Sequence, residues 1–479
     1  MGRTLRALAA SLPCALALGA APSPRPPDTV PFVLTRMTLD LRVDYERGTV
    51  SGTVALTVRN VSREPVATVP LLLGRLFTVA GVARDAGPGL PFAQRVALFE
   101  DDSSRQVNAL LVTPPTPVAP GDSLTLVVRY GGVLVGYTET GSLYIKDHVD
   151  PEFTILREDA YAFPVLGALS SDANRAAPRE PFAFAARVTV PAGQVVAMGG
   201  ERTGRTERDS LVTWSYRSAQ PVPFLNIAIA PYQVSEGAGA RIYSFPGDSA
   251  GARMVTGAVA GATGLYTRWY GPLARTSQLV VMEIPDGFGS QASLAAGILQ
   301  TAGAFRDRAQ LGQLYHELSH LWNVRDGDRP SPRWNEGLAM FLQYRVAAEL
   351  DGWSGWDALL DRMAQRIRRS CAPPARCDDT PFAAYGTAGL TDRSYSVGML
   401  MFYALYQVLG ADAFDRAYRG FFQRFRESGA TSADLLAAFH AADPRSDAVL
   451  ADWFTTTRWY ARLGAGATIP QIVEGYRRR

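Results

Sequence analysis

The apolar pattern of this chain changes period near residue 245, and that change constrains the fold more than any other feature. From about residue 32 to about 240, apolar and polar residues alternate. Leu39, Leu41, Val43 and Tyr45 follow this spacing, as do Val50, Val54, Leu56 and Val58 around Gly52, and then Leu124, Leu126, Val128 and Tyr130. Phe182, Phe184, Ala186, Val188 and Val190 repeat it, followed by Val212, Trp214 and Tyr216. Successive side chains of a strand point to opposite faces, so period two marks half-buried strands. Turns such as Pro120-Gly121-Asp122 between the runs make antiparallel sheets the expected arrangement. Past residue 245 the spacing is helical, and it predicts a helix over Ala250–Trp269, a strand over Gln278–Ile284 and a Gly-rich segment over 286–297. Helices are expected from Ala309 onward, with breaks at 326–332, 371–392 and near Gly429. The expected class is α+β multidomain: an N-terminal β domain over 30–243, then a mainly helical domain over 244–479.

Arg3 and Arg6 precede an uncharged apolar run from Ala7 to Leu18, and small residues Gly19, Ala20 and Ala21 follow. This pattern predicts a signal peptide over residues 1–21 and a secreted or periplasmic mature protein. A run of about twelve apolar residues is too short for a stable membrane span, which needs roughly 20. The 47% hydrophobic and 19% charged composition is that of a globular protein, and a formal charge of +3 gives no electrostatic basis for binding nucleic acid. Once the signal is removed two cysteines remain, Cys371 and Cys377, and in an exported chain such a pair is most simply a disulfide across a Pro-rich loop. By loop entropy the bond would add about 2 kcal/mol.

His316-Glu317-Leu318-Ser319-His320 has the H-E-x-x-H pattern. On a helix, positions i and i+4 share one face, so both imidazoles can reach a single ion while Glu317 projects to one side. Leu311, Leu314, Tyr315, Leu318 and Leu321 supply the apolar stripe that pins such a helix in a core. Downstream, Ser331-Pro332 reads as an N-cap and helix-starting proline, and Trp334-Asn335-Glu336-Gly337-Leu338-Ala339 opens a second helix. A carboxylate in its first turn could face the two histidines. His316, His320 and Glu336 would then hold one zinc ion and leave a fourth position open for water, as a catalytic site requires. Glu317 is the candidate general base. A donor for the developing oxyanion is also needed, and Tyr395 is the candidate, although periodicity alone does not separate it from Tyr385, Tyr403 or Tyr406.

These residues resemble the aminopeptidase N family of gluzincin zinc metallopeptidases over about Phe32 to Gly464. The resemblance implies a saddle-like β domain in front of a thermolysin-like catalytic domain, one zinc ion, and a peptide or protein substrate. Asn335-Glu336-Gly337 matches the family's Asn-Glu-Gly. Tyr395 to Gly398 looks like its Tyr-x-x-Gly, whose tyrosine stabilises the oxyanion, and this raises Tyr395 above the other tyrosines. Ala162-Phe163-Pro164 and the run from Phe182 to Pro191 are similar to the end of the family's β domain. His320-Leu321-Trp322-Asn323-Val324 also resembles the glycyl aminopeptidase family, but Asn335-Glu336-Gly337 favours the first assignment.

The chain departs from the family at four places. Fifteen residues separate His320 from Glu336, fewer than usual in the family. The strand whose glutamate binds the substrate's free amine there corresponds to residues 288–297 here, and no acidic residue occurs between Asp286 and Asp307. A second amine-binding position falls near Ile155, with Glu158 close by as a substitute. The chain ends at Tyr476-Arg477-Arg478-Arg479, so a large C-terminal helical domain is not expected and the cleft should be open. The expected function is a zinc-dependent peptidase with relaxed end recognition. Its substrate would lie along Gly289, Ser290, Gln291, Ala292 and Ser293, pairing with a backbone edge, and Glu158 or Glu283 are alternative amine anchors. The competing expectation is a non-catalytic secreted peptide-binding module on the same fold.

Overall fold

The computed structural model describes residues 29–85, 87–137, 146, 148–274, 278–371 and 379–478. The expected signal peptide and Cys377 lie outside these residues. Cys371 is disulfide-bonded.

The alternating runs form a seven-stranded sheet in the order Glu201–Arg208, Leu211–Arg217, Ala183–Pro191, Phe32–Asp44, Thr49–Asn60, Ser123–Val133, Phe77–Arg84. Register carries the apolar residues across it: Leu39 lies opposite Val54 and Ala186, and Val54 opposite Val128. One face is thus a continuous apolar layer, since every one of these side chains is buried. The sheet is not antiparallel throughout, because Phe32–Asp44 pairs in parallel with Ala183–Pro191. Parallel neighbours need a long crossover, and here most of the β half is threaded between the two strands. A four-stranded sheet and a three-stranded sheet complete this half.

The second half begins with a five-stranded sheet in the order Gln233–Gly237, Ala240–Ser244, Leu279–Ile284, Gly297–Thr301, Gln291–Ser293, whose strands come from both sides of residue 243. Helix Ser249–Tyr270 packs on it through Val255, Val259, Ala262 and Tyr266, a helical stripe that buries as the spacing dictates. A separate apolar cluster containing Ile155, Ala228, Tyr243, Met282 and Leu299 joins the three-stranded and five-stranded sheets, so the halves share a core. No helix among the described residues is long and apolar enough to cross a membrane.

Three helices frame the site. They are the histidine helix Gly312–Ser319, the glutamate helix Trp334–Asp351 and the tyrosine helix Ser394–Leu409. The glutamate and tyrosine helices meet backbone to backbone at Gly337 and Gly398. A Cβ on Gly398 would lie 2.8 Å from Gly337 Cα, and one on Gly337 would lie 2.9 Å from the Ser394 carbonyl oxygen and closer still to Gly398. Only glycine permits this approach, and it draws Glu336 and Tyr395, which lie near those glycines in sequence, toward each other.

Candidate metal centre and active site

Leu311, Leu314, Tyr315 and Leu318 are buried and anchor the histidine helix, while Leu321 is only partly buried. Tyr315 also accepts the Tyr266 hydroxyl on its carbonyl at 2.8 Å and donates its own to Asp351 at 2.8 Å. His316 lies in the last turn, and His320 opens the 3-10 turn His320–Trp322 that continues the helix. Their rings stand 5.0 Å apart between centroids. Glu336 Oε2 is 3.5 Å from His316 Nε2 and 3.5 Å from His320 Nε2. One ligand atom from each of the three residues lies within 4.8 Å of the others, a set of two imidazoles and one carboxylate that suits zinc.

The electrostatics agree with that use. Burial lowers His320 to about 4 although Glu336 opposes it, so its ring is neutral and able to act as a ligand. Burial raises Glu336, but His316, His320 and Arg333 outweigh this and hold it far below the usual carboxylate range. Glu317 is 6% exposed, and burial pushes it up to about 7 against the pull of His316, with Glu336 adding to the rise. A carboxylate so placed takes a proton near neutral pH more readily than an exposed one.

The tyrosines separate clearly. The Tyr395 ring stacks on His316 at 6.3 Å between centroids, and burial pushes its hydroxyl up to about 12. Tyr385 is fully buried against Phe382, Tyr403 packs on Trp356, and Tyr406 packs on Phe341 and Phe414.

Arg333, which periodicity does not single out, stands at the centre of the site. Its Nη2 donates to Glu336 Oε1 at 3.0 Å and to the Tyr395 hydroxyl at 3.1 Å, and its Cζ lies 5.4 Å from the Tyr395 ring centroid. Glu336 is thereby divided between its two oxygens, with Oε1 on Arg333 and Oε2 toward the histidines. The residue immediately before the helix is Arg333, not Ser331, and its backbone is left-handed at φ 59. Ser331 instead accepts the Arg333 amide at 2.9 Å and donates to Asp326 at 2.5 Å. A left-handed conformation costs a residue with a Cβ about 1–2 kcal/mol, and here it accompanies the guanidinium's contacts with Glu336 and Tyr395. The only sequence signal is a cation three residues before the glutamate.

The expected substrate segment divides. Gln291, Ala292 and Ser293 form an edge strand, paired on one side with Gly297–Thr301 and packed against the histidine helix and the turn at His320. Gly289 and Ser290 belong to the loop before it, where the Gly289 carbonyl accepts Arg157 Nη1 at 2.8 Å. The Gln291 side chain is engaged, accepting Asn226 Nδ2 at 2.7 Å and donating to Asp159 at 3.0 Å. Ser293 Oγ accepts the amides of Ala295 and Ala296, both at 3.3 Å. What this strand can offer a peptide is its backbone. Ile155 is buried in the shared apolar cluster, and Glu283 is wholly buried with its Oε2 accepting the Phe245 amide at 2.7 Å. Glu158 accepts the Leu225 amide at 3.2 Å.

A β half joined to a mainly helical half is the fold of M1 zinc metallopeptidases of known structure. Among solved structures, the M1 zinc metallopeptidase of Deinococcus radiodurans matches with a TM-score of 0.64 at 22% identity, over 88% of this chain and 94% of that one. Yeast LTA4 hydrolase matches with a TM-score of 0.63 at 15% identity, over 91% of this chain and 70% of that one. Among curated proteins, the Caenorhabditis elegans candidate aminopeptidase-2 is 24% identical over 391 residues. That alignment takes in 74% of this chain but 20% of the relative, so the chain spans about a fifth of the length of that protein. No family model matches the chain.

Proposed function

We propose that the chain is an exported zinc-dependent peptidase that holds one ion on His316, His320 and Glu336. The observation that carries this reading is the convergence of those three ligand atoms within 4.8 Å, beside Glu317 and Tyr395. Zinc bound there would supply Lewis acidity toward a peptide carbonyl and lower the pKa of a water. Glu317 takes the proton of the attacking water and returns it to the leaving amine, and its burial suits it to this exchange. Tyr395 donates to the oxygen that gains charge as the carbonyl carbon becomes tetrahedral. Arg333 keeps the phenol in place by donating to its oxygen, and because a guanidinium cannot accept, this contact leaves the Tyr395 proton available for donation. The substrate adds a strand to the edge at Gln291–Ser293 through backbone hydrogen bonds.

End recognition is relaxed in this reading. An ammonium loses a charge-assisted contact worth roughly 1.5–3 kcal/mol when no acidic anchor faces it. Ile155 and Glu283 are buried away from solvent, and Glu158, which does reach the cavity beside the strand, accepts the Leu225 amide and is pushed up to about 7 by burial, so it offers an ammonium only a weak anchor. The Deinococcus protein, by comparison, has been crystallised with a Tyr-Ser-Ala substrate. Purified protein should be offered two peptides that differ only in N-terminal acetylation, with Glu317→Gln as the control. Cleavage of both by the parent and neither by the variant, at equal zinc content, supports the proposal. Stepwise cleavage of the free peptide alone would restore a strict aminopeptidase, and cleavage of neither with zinc bound would overturn the peptidase reading.

A further inference from the structure

A cavity of about 520 Å³ lies between the β half and the connection that runs from His320 to Glu336. Phe32, Met37 and Phe224 contribute apolar wall, and the remainder is unusually rich in arginine. Half of its eight charged side chains are already matched. Asp159 is held by Arg157 at 2.8 Å and Glu180 by Arg59 at 2.8 Å, while Arg105 faces Asp102 at 3.7 Å and Arg175 pairs with Asp172. Arg179, Arg325 and Arg329 remain, and none has a carboxylate within ion-pair distance among the described residues. Arg325 donates to the Ser428 carbonyl at 2.8 Å, and Arg329 donates to the Asp326 and Asp328 carbonyls at 2.9 and 2.7 Å. Carbonyl bonds fix a guanidinium in place without cancelling its charge. Glu158, the last acid of the wall, is pushed up to about 7 by burial despite the pull of Arg179, so it offsets little of the positive charge at mildly acid pH.

The cavity adjoins the groove by shared residues. Gln291 lines it and also begins the edge strand beside the His320 turn. Arg325 and Arg329 lie on the same connection that carries Arg333 and ends at Glu336. We propose that this cavity is a carboxylate subsite of the peptide groove, in which Arg179, Arg325 and Arg329 receive an acidic side chain or a C-terminal carboxylate of the bound peptide. The apolar wall takes the carbon chain behind that group, and the fork of each guanidinium matches a carboxylate. This inference rests on the peptide-groove reading given above.

The test is binding of four short peptides to zinc-loaded Glu317→Gln protein by calorimetry, with Glu or Gln at one internal position and a free or amidated C-terminus. Cleavage of the amidated Gln peptide by the parent enzyme is measured alongside. Roughly tenfold tighter binding of a carboxylate-bearing peptide is expected, and which pair differs shows whether the side chain or the terminus is read. The preference should shrink as salt rises. In Arg179→Gln combined with Arg329→Gln, the ratio of acidic to neutral affinity should fall to near one. Arg179→Gln alone, at an exposed residue, should lower that ratio if the double variant does not fold. Equal binding of all four peptides, or a ratio unmoved by either variant, overturns the subsite while cleavage of the neutral peptide leaves the peptidase reading standing. Neither binding nor cleavage would sink both.

Discussion

Arg333 Nη2 lies 3.1 Å from the Tyr395 hydroxyl and 3.0 Å from Glu336 Oε1, so one guanidinium joins the proposed oxyanion donor to a proposed metal ligand. Both acceptors are fixed by a group that cannot accept in return. Hydrogen bonds to charged groups are worth about 1.5–3 kcal/mol and each 1.4 kcal/mol is a factor of ten in rate, so Arg333→Met is expected to lower kcat about 10- to 100-fold. KM should change little, because in the proposed binding mode the substrate pairs with the strand at Gln291–Ser293 and not with Arg333. Arg333→Lys should recover part of the loss through its own charge. Steady-state kinetics with zinc analysis decides the matter: full activity in Arg333→Met would mean that Tyr395 needs no such support.

The Gly337 and Gly398 contact makes a second expectation. Alanine at either position places a methyl group against the opposite helix backbone, which cannot move aside as a side chain would. Overpacking of this kind costs about 1–3 kcal/mol. Gly398→Ala should therefore lower the denaturant midpoint, and it should also reduce kcat by moving Tyr395 relative to Glu336. Alanine at Gly257, where a Cβ would meet nothing within 4 Å, serves as the control and should be neutral or stabilising. A Gly398→Ala protein with parental stability and parental kcat would remove the helix contact from the account of the site.

Much of this site is legible in the amino-acid sequence, because its signals are local. His316, Glu317 and His320 fall within five residues, and Glu336 and Tyr395 each have a glycine nearby whose spacing forms part of the pattern. The change of period near residue 245 likewise reports a property of neighbouring residues, namely which face of an element is buried. Features that depend on partners far along the chain are not legible in this way. Gln291 meets Asn226 and Asp159 across 65 and 132 positions, and nothing in its own neighbourhood announces that its side chain is occupied. The parallel pairing of Phe32–Asp44 with Ala183–Pro191 is equally invisible, since alternation fixes faces but not neighbours. Arg333 escapes sequence reasoning for a different reason. Its role follows from a left-handed backbone that propensity assigns to glycine or asparagine, and the Ser331-Pro332 pair offers a more conventional helix start two residues earlier.

Glu283 gives the fold a pH dependence. It is wholly buried, and burial pushes its carboxyl up to about 9, against the pull of the Phe245 amide, with Asp248 adding to the rise. A carboxyl raised from its ordinary 4.5 keeps its proton in the folded chain over a range where the unfolded chain has lost it. Its contribution to stability is therefore complete below about 4.5 and is lost as pH rises toward about 9. One such proton gives a slope of at most about 1.4 kcal/mol per pH unit. Glu283→Gln keeps the shape without the titration, so its stability should fall less than that of the parent between pH 6 and pH 8.5. Denaturant melts across that range test this, and identical slopes for the two proteins would show that Glu283 carries no proton in the fold.

Metal removal tests the ligand set apart from activity. A neutral imidazole at His320 and a carboxylate at Glu336 need no protonation change to receive a cation, so the folded chain should bind zinc while the unfolded chain holds it poorly. Such a ligand stabilises the fold by about 2.7 kcal/mol when its free concentration is a hundred times Kd. Chelation should lower the Tm of the parent protein and added zinc should restore it. The apo protein should still fold, because Arg333 continues to hold Glu336 Oε1 and the helix contact at Gly337 does not involve the ion. In His316→Ala the Tm should respond far less to either treatment. If chelation lowered the Tm of His316→Ala as much as that of the parent, the stabilising ion would have to sit elsewhere, and the convergence of His316, His320 and Glu336 would lose its meaning as a metal site.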